Sequence, residues 1–333
     1  MTVLEARGIR RSFRSGDRAV RAVDGVDLAV SSGEVVGLIG ESGCGKTTLA
    51  RIMVGLDRPS DGEVLLDGER FLRPDGSVAR SQRHRVQLVF QDPYASFDPR
   101  RTVGRSVGLP LRAVGMGGRA TRSRVAELLV SVGLDPSLAE RHPHTLSGGQ
   151  LQRAAIARAL APQPDILVCD EPVASMDVSV RAQILNLLLD LRRERGIGVL
   201  FVSHDLGVVR RIADRVAVMY LGRIVETGSP EAVWRLPRHP YTRALAASIP
   251  TGSTSWRAGA GVPRLEGEPP SPVDVPSGCR FHPRCPIAIE RCTTDDPVLR
   301  PFPPDVLVAC HLAELARPIA EREPASGVSP GAA

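Results

Sequence analysis

Apolar positions along this chain fall into two kinds of run. Short, almost unbroken ones, "EVVGLI" at 34–39, "ILVCD" at 166–170, "GVLFVSH" at 198–204 and "VAVMY" at 216–220, show no polar alternation, as expected of strands covered on both faces. Longer ones carry the three-and-four spacing of helices: "TTLARIMVGL" at 47–56, "RSRVAELLVSVGL" at 122–134, "VRAQILNLLLDLRRERG" at 180–196 and "LGVVRRIADR" at 206–215. Nearer the start, "VDGVDLAV" and "GEVLLDG" alternate between turn residues, the mark of antiparallel strands. Residues 1–90 therefore mix antiparallel strands with one strand–loop–helix unit, 91–160 read as a largely helical insertion, and 161–230 return to alternating strand and helix. That order predicts an α/β fold with a doubly wound core and a helical arm.

The loop between the first buried strand and its helix, "GESGCGKTTL" at 40–49, holds the only lysine of the chain. Gly40, Gly45, Lys46 and Thr47 fit G-x-x-x-x-G-K-[ST], so Gly40, Ser42, Gly43, Cys44, Gly45, Lys46, Thr47 and Thr48 are predicted to wrap a triphosphate. Backbone N–H groups and the helix dipole favour the anion, and a compact ammonium can enter the nest where a planar guanidinium cannot. The other half of such a site is an apolar strand ending in acid, and "ILVCDE" at 166–171 supplies it. Asp170 is assigned to Mg²⁺ through water and Glu171 to the attacking water.

Composition changes this picture little. A length of 333 residues allows one large or two modest domains. The net charge of +6 is spread among interspersed acids with only 4% aromatic residues, which argues against a nucleic-acid partner. No apolar run approaches the ~20 residues of a membrane span, and "MTVLEARGIRRSF" lacks the apolar core of a signal peptide, so a cytoplasmic location is expected.

Between the two phosphate motifs lies "LSGGQ" at 146–150, and here the chain resembles the ATP-binding cassette (ABC) family, whose signature is that pentapeptide. Other landmarks follow in order: Gln91 in "LVFQDP" resembles the glutamine loop, Asp177 in "ASMDVS" the loop after the catalytic acid, His204 in "LFVSHD" the switch histidine, and Phe13 in "RRSF" the aromatic that stacks on adenine. Val173 and Met176 depart from the threonine and leucine often found there. The resemblance implies a P-loop NTPase (RecA-like) ABC ATPase core with an antiparallel β subdomain and a helical subdomain. It implies ATP and Mg²⁺ as cofactors, with Thr47, Gln91 and Asp170 at the metal and Glu171, His204 and Lys46 as catalytic groups. Ser147, Gly148, Gly149 and Gln150, before the helical "LQRAAIARALA", would face the γ-phosphate bound by a second subunit, so that ATP joins two cassettes head to tail.

After residue 230, "PRHPYTRALAASIP", the proline-rich "EGEPPSPVDVPSG" and "GCRFHPRCPIAIERC" resemble the tail of oligopeptide and dipeptide importer ATPases, in particular the second of their paired subunits. This divides the chain into an ATPase domain at 1–235, an extension at 236–317 and a tail at 318–333 expected to be disordered. Cys279, Cys285, Cys292 and Cys310 follow C-x5-C-x6-C-x17-C, wider than common zinc spacing, so a tetrathiolate metal site and free thiols both stay open. For this tail the resemblance implies a four-iron four-sulfur cluster, with His282 or His311 able to replace a sulfur. Cys44 and Cys169 read as small fillers, although alkylating Cys44 should block ATP. The implied partners are a second, homologous ATPase, two transmembrane permeases and an extracytoplasmic binding protein, with this chain peripheral on the cytoplasmic face of the inner membrane. Nickel and oligosaccharide importers share much of the pattern; a soluble ABC ATPase acting on DNA or ribosomes is the other class, and it usually adds coiled coils or a second cassette, which this sequence lacks.

Overall fold

A computed structural model describes residues 1–247 and 267–316, apart from positions 17, 175 and 304. The tail expected to be disordered lies outside the described residues. The strands are β1 (Val3–Ser15), β2 (Arg18–Ser31), β3 (Val35–Ile39), β4 (Asp61–Leu66), β5 (Glu69–Arg70), β6 (Val86–Val89), β7 (Ile166–Asp170), β8 (Gly198–Ser203), β9 (Arg215–Tyr220), β10 (Arg223–Gly228), β11 (Arg300–Phe302) and β12 (Val306–Val308). An antiparallel sheet has the order β2-β1-β4-β5 and a second, mixed sheet the order β11-β12-β10-β9-β3-β8-β7-β6.

The unbroken apolar runs became the parallel centre of the larger sheet. Every residue of β3, β7 and β8 is buried. Alternate side chains feed opposite faces: Val35, Ile39, Val199 and Phe201 join one apolar cluster, while Val36, Leu38, Leu200 and Val202 join the other. Burial on both faces removes the need for polar alternation, which explains why these strands read as continuous apolar runs.

Helix α1 (Lys46–Met53) follows β3. The predicted helical stretch is built from α2 (Pro93–Ser96), α3 (Val103–Val107), α4 (Leu109–Ala113), α5 (Gly118–Ser131) and α6 (Gly148–Leu160). Then come α7 (Val178–Arg195), α8 (Leu206–Ile212), α9 (Pro230–Arg235), α10 (Pro240–Ala247) and α11 (Arg291–Thr294). Helix α8 stops three residues short of the predicted 206–215, because Arg215 already belongs to β9. Helix α6 is buried around most of its circumference, not along a single stripe: Leu151, Gln152, Ala155 and Ala157 are covered as fully as Ile156 and Leu160. Small alanines permit that close approach on several sides.

The segment after residue 236 does not stand apart from the core. Its strand β12 pairs with β10, Glu226 opposite Val308 and Thr227 opposite Leu307, and so extends the main sheet. Among the described residues, no helix is long and apolar enough to cross a membrane.

Candidate functional site

The strand order gathers the predicted chemistry at one end of the sheet. Strands β3, β8 and β7 are parallel neighbours, so the loops after their carboxyl ends carry Lys46, His204 and Asp170 with Glu171 to the same edge. Open α/β sheets bind ligands at that edge, because helix N-termini and free backbone amides converge there.

The loop after β3 takes its shape from glycine. Gly40 (φ 159°) and Gly45 (φ 109°) press against neighbouring backbone: a Cβ would lie 2.1 Å from the Met219 carbonyl oxygen at the first and 2.1 Å from that of Ala22 at the second. Lys46, 5% exposed, donates from Nζ to the carbonyls of Gly40 at 2.8 Å and Glu41 at 2.9 Å. The Thr47 hydroxyl donates to Asp170 Oδ1 at 3.1 Å. Burial raises the Asp170 carboxyl above its usual range, and the Thr47 hydrogen bond only partly offsets it. A buried carboxylate beside a hydroxyl is a hard-oxygen donor pair suited to Mg²⁺.

A cleft of about 440 Å³ opens above this floor, lined by Ser42, Gly43, Gly45, Lys46, Thr47, Thr48, Gln91, Glu171 and His204. Glu171 adopts φ 44°, a left-handed conformation uncommon for a residue with a side chain. Its Oε2 accepts from Gln91 Nε2 at 3.1 Å and lies 3.2 Å from His204 Nδ1. Three residues from three distant segments thus meet on one carboxylate at the cleft mouth.

Phe13, Ser147, Gly148, Gly149, Gln150 and Asp177 do not line that cleft. Phe13 is 37% exposed on β1, with the Arg11 guanidinium 4.5 Å above its ring. Ser147 caps α6 in a reciprocal box: the Gln150 N–H donates to Ser147 Oγ at 3.3 Å and the Ser147 N–H to Gln150 Oε1 at 3.0 Å. The signature is therefore a helix N-terminus, with Gly149 packed so closely on Val180 that a Cβ would lie 2.4 Å from its Cγ1. Asp177 caps α7, and the Val180 N–H it accepts at 2.9 Å holds its carboxyl below the usual range.

A family profile described as "ABC transporter" matches residues 23–174, and one described as "Oligopeptide/dipeptide transporter, C-terminal region" matches residues 225–292. The peptide ABC transporter ATP-binding protein y4tS of Sinorhizobium fredii is 49% identical over 90% of this chain and 85% of its own length. The oligopeptide transport ATP-binding protein OppF of Escherichia coli is 46% identical over 86% of each chain. The chain belongs to the ATP-binding subunits of the oligopeptide/dipeptide ABC transporter family. Among solved structures, the ATP-binding cassette MJ0796, determined as a dimer in a post-hydrolysis state with ADP and Pi, is 31% identical, with a TM-score of 0.61 over 68% of this chain and 98% of that one. The fold is that of an ABC ATPase, and the subunit is an ATP-hydrolysing enzyme.

What the sequence pattern missed in this ABC subunit is the contact between the extension and the phosphate loop. The Arg284 guanidinium forks onto the Glu41 carboxylate at 2.7 and 3.1 Å, and the Tyr241 hydroxyl accepts the Glu41 N–H at 2.8 Å. Arg280 pairs with buried Asp24 and donates to the Leu221 carbonyl. Burial pushes the Asp24 carboxyl up, but Arg280, Arg223 and Arg10 together hold it below the usual range. Phe281 packs edge-on against Tyr220, ring centroids 5.3 Å apart. No local signal marks these pairings; the only hint was two arginines between two cysteines.

The four tail cysteines share one neighbourhood. Burial first, and then Cys279, Cys285 and Cys292, push the Cys310 thiol up to about 12. The Cys279 thiol is pushed up to about 11, again by burial first. The Leu312 N–H donates to the sulfur of Cys310, two residues upstream, at 3.4 Å. Yet among the described residues no three His, Cys, Asp or Glu side chains converge closely enough to hold a metal ion. His311 turns away, its Nε2 2.9 Å from the Asp295 carbonyl oxygen, and His282 Nδ1 lies 3.0 Å from the Cys279 carbonyl oxygen. Cys44 is 6% exposed and its thiol is raised by burial, which fits the small filler read from the sequence and makes its alkylation slow.

Proposed function

We propose that this subunit is one of the two ATP-driven motors of a peptide importer, and that ATP acts by joining it to a second, homologous ATPase. The observation that carries the reading is the Glu171 carboxylate, bonded to Gln91 and beside His204 at the mouth of the lysine cleft. Lys46 neutralises charge on the phosphates while the amides of Ser42, Gly43, Cys44, Gly45 and Thr48 line them. Thr47 and Asp170 would hold Mg²⁺, with Gln91 on the same side, and the bound ion would supply positive charge against the phosphates. Glu171 takes a proton from the attacking water, which His204 holds in line. Gln91 relays the presence of γ-phosphate to the helical segment that follows it. Phe13 stacks on adenine. Ser147, Gly148, Gly149 and Gln150 lie outside the cleft, consistent with a helix N-terminus offered to nucleotide on the partner ATPase, with Asp177 fixing the neighbouring helix. Residues 1–235 form the ATPase domain and 236–317 the extension.

The peptide cargo follows from the family's C-terminal region and from relatives named for peptide transport. On this reading the subunit sits on the cytoplasmic face of the inner membrane, against two permeases served by an extracytoplasmic binding protein. The test is to purify the tagged Glu171→Gln chain from gently solubilised membranes in ATP. Two polytopic permeases and a related ATPase are expected; a soluble complex without membrane proteins would refute the transport reading.

A second reading is favoured by four neighbouring thiols, three of them buried, with Cys310 accepting the Leu312 N–H: Cys279, Cys285, Cys292 and Cys310 would hold a 4Fe–4S cluster, which would supply structural cross-linking when bound. Its support is the shared thiol neighbourhood, and closing the ligand set requires the four sulfurs to draw together. Anaerobic purification followed by iron, sulfide and zinc analysis decides it; absence of iron and sulfide removes the cluster.

A further inference from the structure

The phosphate loop carries an acid where an anion must bind. Glu41 is the second residue of "GESGCGKTT", next to Gly40 and within the loop whose amides line the cleft. A carboxylate there repels a polyphosphate unless something neutralises it and turns it aside. Both are done by residues from the far end of the chain. The Arg284 side chain is 6% exposed and grips Glu41 through both carboxylate oxygens, while its guanidinium sits 6.0 Å from the Tyr220 ring. The Tyr241 hydroxyl accepts the Glu41 N–H, and the Glu41 carbonyl accepts from Lys46 Nζ. Glu41 is thus fixed through N–H, carbonyl and side chain, two of them by residues outside the loop. Arg284 is itself set by its place: it ends the short turn His282–Arg284, between Cys279 and Cys285, and Phe281 of the same segment packs on Tyr220 and Tyr241 at 5.3 and 5.5 Å.

We propose that Arg284 is a positioning residue of the ATP site: it neutralises Glu41 and, with Tyr241, holds the loop's outer edge turned away from the phosphates. The cysteine-bearing segment is then part of the nucleotide site and not an appendage, and whatever fixes or loosens that segment sets ATP affinity. This rests on the ATP-site reading above.

The discriminating experiment removes the acid as well as the base. Full-length chain, alone and in the assembled transporter, is compared as wild type, Arg284→Met, Glu41→Gln and the double variant, by equilibrium binding of a fluorescent ATP analogue and by steady-state ATPase kinetics. Arg284→Met should raise Kd and KM for ATP about tenfold or more, as for loss of a charge-assisted fork, with kcat within about threefold. Adding Glu41→Gln should bring both back to within about threefold of wild type, and the Arg284→Met defect should shrink as salt rises. A purely structural role for Arg284 predicts a defect that the second substitution does not repair. If Arg284→Met does not fold, Arg284→Gln is judged by the same repair, because it removes the charge while keeping polar hydrogen-bonding atoms. Unchanged affinity in a folded arginine variant, or a defect that Glu41→Gln leaves in place, overturns the proposal. Failure of the wild type to bind ATP would instead overturn the site reading.

Discussion

Lys46→Arg keeps the positive charge of the phosphate loop and changes only its shape, so it isolates what the single lysine of this chain contributes. An ammonium has three donors; here two of them reach the carbonyls of Gly40 and Glu41 at 2.8 and 2.9 Å, leaving the third for phosphate. Lys46 is 5% exposed and its nitrogen lies 3.9 Å from Cys44 Sγ, so a wider head group at the same place would press on the loop. A guanidinium would lose at least one of the charge-assisted bonds, at about 1.5–3 kcal/mol, and add overpacking of about 1–3 kcal/mol. The sum, about 2.5–6 kcal/mol, corresponds to roughly two to four decades in affinity. Titration with a fluorescent ATP analogue measures it directly, with Lys46→Met as the variant that removes charge without adding bulk. Arginine is expected to be as damaging as methionine, and thermal unfolding without nucleotide checks that the fold persists. Binding by Lys46→Arg within about threefold of wild type would refute the reasoning, since charge alone would then suffice.

Two further predictions concern the contacts that hold the extension to the core. Arg280→Met strips the most buried of its arginine partners from Asp24, whose side chain is 8% exposed, and leaves Arg10 and Arg223 to compensate in part; a loss of about 2 kcal/mol, or about 4–8 °C in Tm, is expected in a thermal melt. Burial lowers His239 to about 3, so as pH falls from about 6.5 the unfolded state takes up a proton that the folded state refuses, and stability drops by up to about 1.4 kcal/mol per pH unit. Burial of its neighbour Glu226 raises that carboxyl to about 7, which gives the opposite slope between about pH 4.5 and 7, so the two largely cancel in the wild type. His239→Asn keeps an acceptor for the Tyr241 N–H at 3.1 Å but cannot titrate. Between pH 5.0 and 6.5 the variant should therefore lose about 2 kcal/mol relative to wild type, and a pH-independent difference in denaturant midpoints would refute this.

Much of the site was legible because its parts are local. Gly40 to Thr48 must lie together wherever the chain goes, since one turn and one helix start hold them, and Asp170 with Glu171 follow a strand whose apolar run announces its burial. Ser147 and Gln150 announce a helix start through their mutual spacing, and the capping box is the structure of that spacing. The reach of α8 and the burial of α6 were less legible, because packing partners decide where a helix stops and how many of its faces are covered.

The sequence by itself determined which residues are chemically equipped: one ammonium in a glycine loop, two carboxylates at a strand end, an amide and an imidazole in the right order. Only the tertiary structure decided which of them meet. Gln91 reaches Glu171 across 80 positions and His204 reaches the same carboxylate across 33, because β6, β7 and β8 are parallel neighbours that end at the same edge. A far longer connection, 243 positions from Arg284 back to Glu41, has no local signature at all. A fork between guanidinium and carboxylate depends on where two distant segments are brought by sheet order and aromatic packing, and neither is written in the residues on either side of it.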